Sequence, residues 1–309
     1  MHLTLQQLKL FEAVLRNASY TRAAEELHLT QPAVSIQIKR LEEQVGLPLF
    51  EKVGKKTFPT PAGEAVYRTS LDVLAKIEDL GVEIDRMKGE VQGPLALSVV
   101  NTTKYFLPHL LGQFLRHYPE VEPRLRFSNR ARVVERLLNN EDDFVVMGRI
   151  PDDSQLESYP FLENILVPVA PPGHPLVGQK DIPLQALVKE RFLEREEGSG
   201  TRIAFGRLLK EHGLRLEPYM ELGSAEAIKQ GVMSGLGLGV LSQHALRLES
   251  STGKLAILDV QGFPIRRRWY AVHLKGKTLS LTAKTFLDFI LEQGSEVLGQ
   301  DGPPDANTG

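Results

Sequence analysis

Between Leu5 and Val45 the chain packs three short helical patterns so close together that few folds can hold them. Leu5, Leu8, Phe11, Val14 and Leu15 recur at steps of three and four, which puts them on one face of a helix from Leu5 to Ala18. Ser19 then offers an N-cap to a second helix, Tyr20 to Leu27, whose Ala23 and Ala24 are small enough to admit a close neighbour. After a turn at His28-Leu29, Thr30 caps a third helix and Pro32 falls in its first turn, where a missing backbone N–H costs little. Val34, Ile38, Leu41 and Val45 form its inner stripe. Helices this short draw their stability from packing on one another, and the tight second turn predicts a helix-turn-helix.

The outer face of the third helix carries groups suited to double-stranded DNA. Gln31 and Gln37 can offer paired donors and acceptors to base edges, while Ser35, Lys39 and Arg40 can hold phosphates. Thr30, Pro32 and Ala33 complete the first turn, the part that enters a major groove with its dipole toward the phosphates. Gly46 to Phe50 breaks the helix, and Glu51 to Phe58 reads as a hairpin wing with Lys52, Lys55 and Lys56 near its tip. A formal net charge of -2 excludes indiscriminate coating of nucleic acid, so contact must be local. Basic residues outnumber acidic ones in this segment by only two, and a plain three-helix packing unit remains open on spacing alone.

From Pro61 onward, Val66, Ser70, Val73, Ile77, Leu80, Ile84 and Met87 recur at alternating steps of four and three, a heptad seam that predicts pairing of two chains. Packing of this helix on its own C-terminal region is the other reading. Gly89 to Pro94 reads as a hinge. Beyond it, short β-branched runs alternate with helical segments, which predicts an α/β unit with largely parallel strands. Strands are expected at 95–100, 122–127, 143–148, 166–170, 238–241 and 269–274, and helices at 106–117, 133–139, 201–212 and 225–234.

The segments Leu8 to Phe11, Ser19 to Leu27, Thr30-Gln31-Pro32-Ala33-Val34-Ser35, Leu41-Glu42, Gly46 to Phe50 and Thr60-Pro61-Ala62-Gly63 together resemble the LysR-type transcriptional regulators. Asn101 to Phe106, Met147-Gly148-Arg149 and Gly198 to Arg202 are most similar to the regulators of carbon dioxide fixation operons. The resemblance implies an N-terminal winged helix-turn-helix (1–58), a linker and dimerisation helix (59–91), and a two-lobed effector domain like periplasmic binding proteins (92–298). Lobe I would be 93–162 and 267–298, lobe II 163–266, with crossings near 162–166 and 258–263. It also implies a dimer that commonly assembles into a tetramer, and a small effector bound between the lobes. A phosphorylated metabolite or a nicotinamide nucleotide fits the subgroup. RNA polymerase is a further expected partner.

Backbone N–H groups converge where a strand ends and a helix begins, so anions are best sought there. Asn101, Thr102, Thr103 and Lys104 follow the first strand, Asn129 and Arg130 the second and Arg149 the third, while Ser199, Thr201 and Arg202 open a helix in the other lobe. Each hydroxyl among them could equally be a helix cap; the resemblance favours Thr102, Thr103 and Thr201 as ligand contacts.

Other chemistry finds little support. The chain has no cysteine, which removes thiol catalysis and Cys-based zinc sites. Its eight histidines lack metal-ligand spacing, Ser199 lacks a nucleophile elbow, and Gly235 to Gly239 is not a dinucleotide fingerprint. No catalytic residue, metal or cofactor is expected. With 42% hydrophobic and 25% charged residues the composition is that of a globular protein. The start of the chain lacks a signal-peptide pattern and no stretch is apolar enough to span a membrane, so a cytoplasmic location is expected. Residues 299–309 read as a disordered tail. A metabolite-binding protein or enzyme whose N-terminal helices only oligomerise is the alternative function.

Overall fold

A computed structural model describes residues 3–53 and 56–300, with backbone alone at 52, 53, 56, 75, 78, 79, 81–88 and 300. The chain divides into two units at Lys88/Gly89.

In the first unit, α1 (Leu5–Asn17) opens with a capping box: the Thr4 hydroxyl accepts from the Gln7 amide and the Gln7 side chain accepts from the Thr4 amide. Ser19 caps α2 (Tyr20–Glu26) and Thr30 caps α3 (Gln31–Val45), which ends at Gly46 in the left-handed region, φ 79°. A hairpin of β1 (Phe50–Val53) and β2 (Lys56–Pro59) follows, then α4 (Pro61–Lys88). Leu10, Phe11, Val14, Ala23, Val34, Ile38, Leu41 and Leu49 form the core. The expected stripe on α1 needs correcting, because Leu5 is exposed while Leu10 is buried. Helix α1 packs against α2, α3 and α4 together, so its buried arc is wider than one amphipathic stripe. Gly63 lets α4 start hard against the wing, since a Cβ there would overlap the Leu49 carbonyl oxygen.

The heptad seam divides along α4. Val66 packs into the first unit's core and Ser70 is fully buried, its hydroxyl donating to the Val66 carbonyl at 2.7 Å. Ile77 and Leu80 remain exposed. The side chains of Ile84 and Met87 lie outside the described residues.

In the second unit the elements run β3 (Gly93–Val100), α5 (Leu107–His117), β4 (Val121–Ser128), α6 (Arg130–Leu138), β5 (Phe144–Met147) and β6 (Leu156–Ala170). They continue with α7 (Leu184–Leu187), β7 (Leu193–Arg195), α8 (Gly200–Glu211), β8 (Met220–Leu222), α9 (Ala225–Met233) and β9 (Gly239–Ser242). Last come α10 (Arg247–Ser251), β10 (Ala256–Ile257), β11 (Ile265–Leu274) and α11 (Leu281–Gln300). The main sheet has the order β10-β6-β11-β5-β3-β4, with β9 also on β6. One lobe centres on Leu97, Phe106, Phe114, Phe144, Trp269 and Phe286, the other on Leu166, Leu187, Phe192, Phe205, Leu238 and Val240.

Only the β3–β4, β3–β5 and β7–β8 pairings of named strands are parallel; β6 and β11 run antiparallel from Ile265↔Leu166 to Leu274↔Leu156. This corrects the expectation of largely parallel strands; of the two expected crossings, that near 162–166 lies within β6 and that near 258–263 just precedes β11. The chain passes between lobes inside two long strands. Residues 156–165 hid this because Glu157, Ser158, Glu163 and Asn164 interrupt their apolar pattern, leaving only the continuous run 166–170 readable. Helix α11 also continues through Gly299 and Gln300, two residues into the expected tail; 301–309 lie outside the described residues. Among the described residues no helix is long and apolar enough to cross a membrane.

Candidate functional site

Helix α3 presents the first candidate surface. With Val34, Ile38 and Leu41 buried beneath it, Thr30, Gln31, Pro32, Ser35, Lys39 and Arg40 are exposed, while Ala33 and Gln37 are half-buried. Thr30 spends its hydroxyl on the cap, accepting from the Ala33 amide at 3.4 Å. Gln37 flanks the buried stripe, because six residues from Gln31 is not a whole number of helical turns. The side chains of Lys52 and Lys56, and Lys55 altogether, lie outside the described residues.

The second candidate is a cleft between the lobes of the second unit. Its walls are Asn101, Thr102, Asn129, Arg130, Arg149, Ser199 and Thr201 from the sequence expectations, joined by Ser128, Asn164, Arg195, Ser242, Arg267 and Trp269. Three expected residues stand elsewhere. Thr103 is fully buried and donates to the Val100 carbonyl at 2.9 Å. Lys104 is exposed, its ammonium 5.1 Å from the Tyr105 ring centroid. Arg202 is held by Glu221 at 2.5 Å, Glu194 at 3.1 Å and the Arg195 carbonyl, so its fork is occupied within its own lobe. Asn129 lines the cleft, but its oxygen caps α6 by accepting from the Arg132 amide.

Arg267, which sequence reading missed, is the central cation. Projecting from β11, it donates to the Gly200 carbonyl at 2.6 Å and to the Gly148 carbonyl, so it touches main chain of both lobes. Arg130 donates to the Arg149 carbonyl at 3.3 Å. Among the described residues Arg130, Arg149 and Arg267 have no carboxylate partner, whereas Arg195 is matched by Glu196 at 2.6 Å. Burial and the charges of Arg149 and Arg207 push the Arg267 guanidinium down to about 10, and burial and Arg149 also lower Arg130. The cleft thus gathers guanidinium charge suited to an anion, while Glu196 on its wall is already paired with Arg195.

Its floor carries the complementary sign of a ligand site. Asn164, Ser242 and Trp269 are each at most 3% exposed, yet Asn164 Oδ1, Ser242 Oγ and Trp269 Nε1 have no hydrogen-bond partner. Buried polar atoms are costly to leave unpaired, and three lining one cleft mark a place where polar groups of a ligand or water belong. Arg267 lies close over Gly148 and Gly200: a Cβ would stand 2.9 Å from its guanidinium at the first and 3.1 Å at the second, so a side chain at either would make the guanidinium shift. Among the described residues no cluster of His, Asp and Glu could hold a metal ion.

Comparison with known proteins assigns a family model to each of the two regions that carry these candidates. Residues 5–64 match the model of the bacterial regulatory helix-turn-helix protein, lysR family, and residues 88–295 match that of the LysR substrate binding domain. The chain belongs to the LysR family. It is 45% identical over 302 residues to a RuBisCO operon transcriptional regulator of Acidithiobacillus ferrooxidans, covering 98% of this chain and 97% of the relative. It is 44% identical to the transcriptional activator CmpR of Synechocystis sp., covering 95% of this chain and 97% of the relative. The regulatory domain of Synechocystis CcmR, solved in complex with 2-PG, is 46% identical with a TM-score of 0.62, over 65% of this chain and 96% of that one. Full-length OxyR from Pseudomonas aeruginosa, 21% identical over 96% of this chain and 97% of that one, shares the fold with a TM-score of 0.75.

This LysR-family chain is therefore a DNA-binding transcriptional regulator and not an enzyme. The idea that its N-terminal helices serve only to oligomerise falls away, because the helix-turn-helix match spans all of α1, α2, α3 and the wing.

Proposed function

We propose that this regulator controls a carbon dioxide fixation operon by coupling an anionic, phosphorylated effector in the interlobe cleft to DNA gripped by α3 and the wing. The observation that carries the effector reading is the unneutralised set Arg130, Arg149 and Arg267 above the unpartnered Asn164, Ser242 and Trp269. Phosphate and carboxylate oxygens are acceptors suited to guanidinium forks and to the Trp269 and Ser242 donors. The relative that carries 2-phosphoglycolate supports a phosphorylated acid over a nicotinamide nucleotide. Asn101, Thr102, Ser199 and Thr201 would complete the contacts from both lobes.

On the DNA side, exposed Gln31 reads base edges, and Ser35, Lys39, Arg40 and the wing lysines hold phosphates. Exposed Ile77 and Leu80 favour pairing of two chains along α4, with a tetramer as the working assembly and RNA polymerase as a downstream partner in the cytoplasm. A ligand alters this system only by binding one arrangement of the lobes more tightly than another.

Calorimetric titration of the full-length protein with 2-phosphoglycolate tests the cleft. Saturable binding that Arg267→Met weakens roughly tenfold to a hundredfold, the cost of a charged hydrogen bond, is the expected result. Equal affinity in both proteins would remove the cleft from the account.

A further inference from the structure

We infer that Ile36 is a base-reading residue of α3, recognising the 5-methyl group of a thymine in the major groove. The inference rests on the DNA-binding reading above and adds to it a sequence preference no polar residue of the helix supplies.

Ile36 is 54% exposed and contributes nothing to the apolar core of the first unit. Its position is what distinguishes it from other exposed apolar residues. At about 100° per residue, Ile36 stands within about 15° of the direction opposite the mean of the buried Val34, Ile38 and Leu41. No other residue of the helix's first three turns lies closer to the middle of the outward face, and Pro32 and Arg40 sit one turn to either side of it. Pro32, also exposed, extends the apolar spot toward the helix N-terminus, and Ser35, Lys39 and Arg40 surround it with polar groups. An isolated surface isoleucine needs no explanation by itself. One at the centre of a face bordered by phosphate-seeking cations is different, because the cations hold that face against DNA.

The groove offers one apolar partner of the right size. Thymine alone among the four bases carries a methyl group on the major-groove edge, and apolar side chains are its usual contacts. A β-branched side chain on a helix is nearly fixed at χ1, so Ile36 meets that methyl with little loss of conformational freedom. Polar bases opposite Ile36 would instead lose hydration without replacement, which makes the preference two-sided.

The test uses full-length protein and DNA sites selected from a random pool by the wild type. Each thymine of the selected site is replaced singly by deoxyuridine, which removes only the methyl group, and binding is followed by anisotropy for wild type, Ile36→Val and Ile36→Ala. We expect one thymine per half-site whose methyl is worth about fourfold in affinity, the burial of a methyl group, to wild type and Ile36→Val. Ile36→Ala should bind that site and its deoxyuridine version equally, with its unfolding midpoint unchanged because the side chain is exposed. If Ile36→Ala keeps the same methyl dependence, or no deoxyuridine weakens wild type, the inference fails while DNA binding stands. Failure of wild type to select any sequence would overturn the DNA-binding reading and the inference together.

Discussion

The Tyr105 hydroxyl donates to Glu226 Oε2 at 2.6 Å, tying the turn that follows β3 in one lobe to helix α9 in the other. The same short 3-10 turn, Asn101–Tyr105, supplies Asn101 and Thr102 to the cleft, so a contact at one end of the turn bears on a fastening at the other. Lys229 completes the fastening: it is buried, pairs with Glu226 at 2.9 Å and Glu249 at 2.8 Å, and lies 4.9 Å from the Tyr105 ring centroid. We expect Tyr105→Phe to change the effector affinity and the effector-dependent shift in DNA binding without loss of fold. Calorimetry and anisotropy on the variant check this; unchanged values in both would separate the fastening from the cleft.

The pair also has a pH signature. Burial by itself would raise the Glu226 carboxyl, but hydrogen bonds from Gln230, Tyr105 and Lys229 and the Lys229 charge outweigh it and hold the group at about 2. A carboxyl depressed on folding contributes stability above its unfolded value, 4.5, and loses it as pH falls toward about 2. The unfolding-midpoint difference between wild type and Glu226→Gln should therefore be largest near neutrality and shrink steadily below pH 4.5. A difference constant down to pH 3 would contradict this.

A buried ion pair secures the lobe that carries Asn129 and Arg130. Arg136 of α6 reaches Asp142 at 2.7 Å, Glu141 at 2.5 Å and Ser98 of β3 at 2.9 Å, with Arg136 and Asp142 both under 10% exposed. Removing one member leaves a buried charge, and breaking such a pair costs about 3–5 kcal/mol. Denaturant unfolding of Arg136→Ala should show a loss of this size, whereas Arg132→Ala, whose partner Glu135 is on the surface, should lose under about 1 kcal/mol.

Exposed Ile77 and Leu80 on α4 make a prediction about assembly. Ile77→Glu combined with Leu80→Glu places charge on the uncovered part of the seam and should lower the molar mass measured by light scattering. Val66 and Ser70 are covered within the chain and cannot report on pairing. An unchanged mass for the double variant would mean that α4 is not where chains meet.

How far the residues announce this molecule depends on the range over which they act. Caps, turns and short apolar stripes act locally, and Ser19, Thr30 and Gly46 are found where local rules put them. The loops after β3 and before α8 were legible as anion-seeking strand-to-helix junctions, and Asn101, Thr102, Ser199 and Thr201 do meet across the cleft. Arg267 was not legible, because it sits in the run Arg266-Arg267-Arg268, where adjacent arginines look alike until the strand pairing turns the middle one inward. Arg202 misled for the opposite reason: an arginine at a helix start attracts an anion reading, and its carboxylate partners Glu194 and Glu221 come from the β7–β8 pair that sequence reading did not foresee. Asn164 and Trp269 were hidden likewise, inside strands whose registry brings them to the floor.

The central claim is that anion occupancy of the cleft changes the grip on DNA. Its most direct test is anisotropy titration of full-length protein onto DNA upstream of a carbon dioxide fixation operon from the same genome, with and without 2-phosphoglycolate, for wild type and Arg267→Met. The account predicts sequence-selective, salt-sensitive binding by both proteins and an effector-dependent shift in affinity or footprint in wild type alone. A shift of equal size in Arg267→Met, or selective binding that no phosphorylated acid alters, would contradict it.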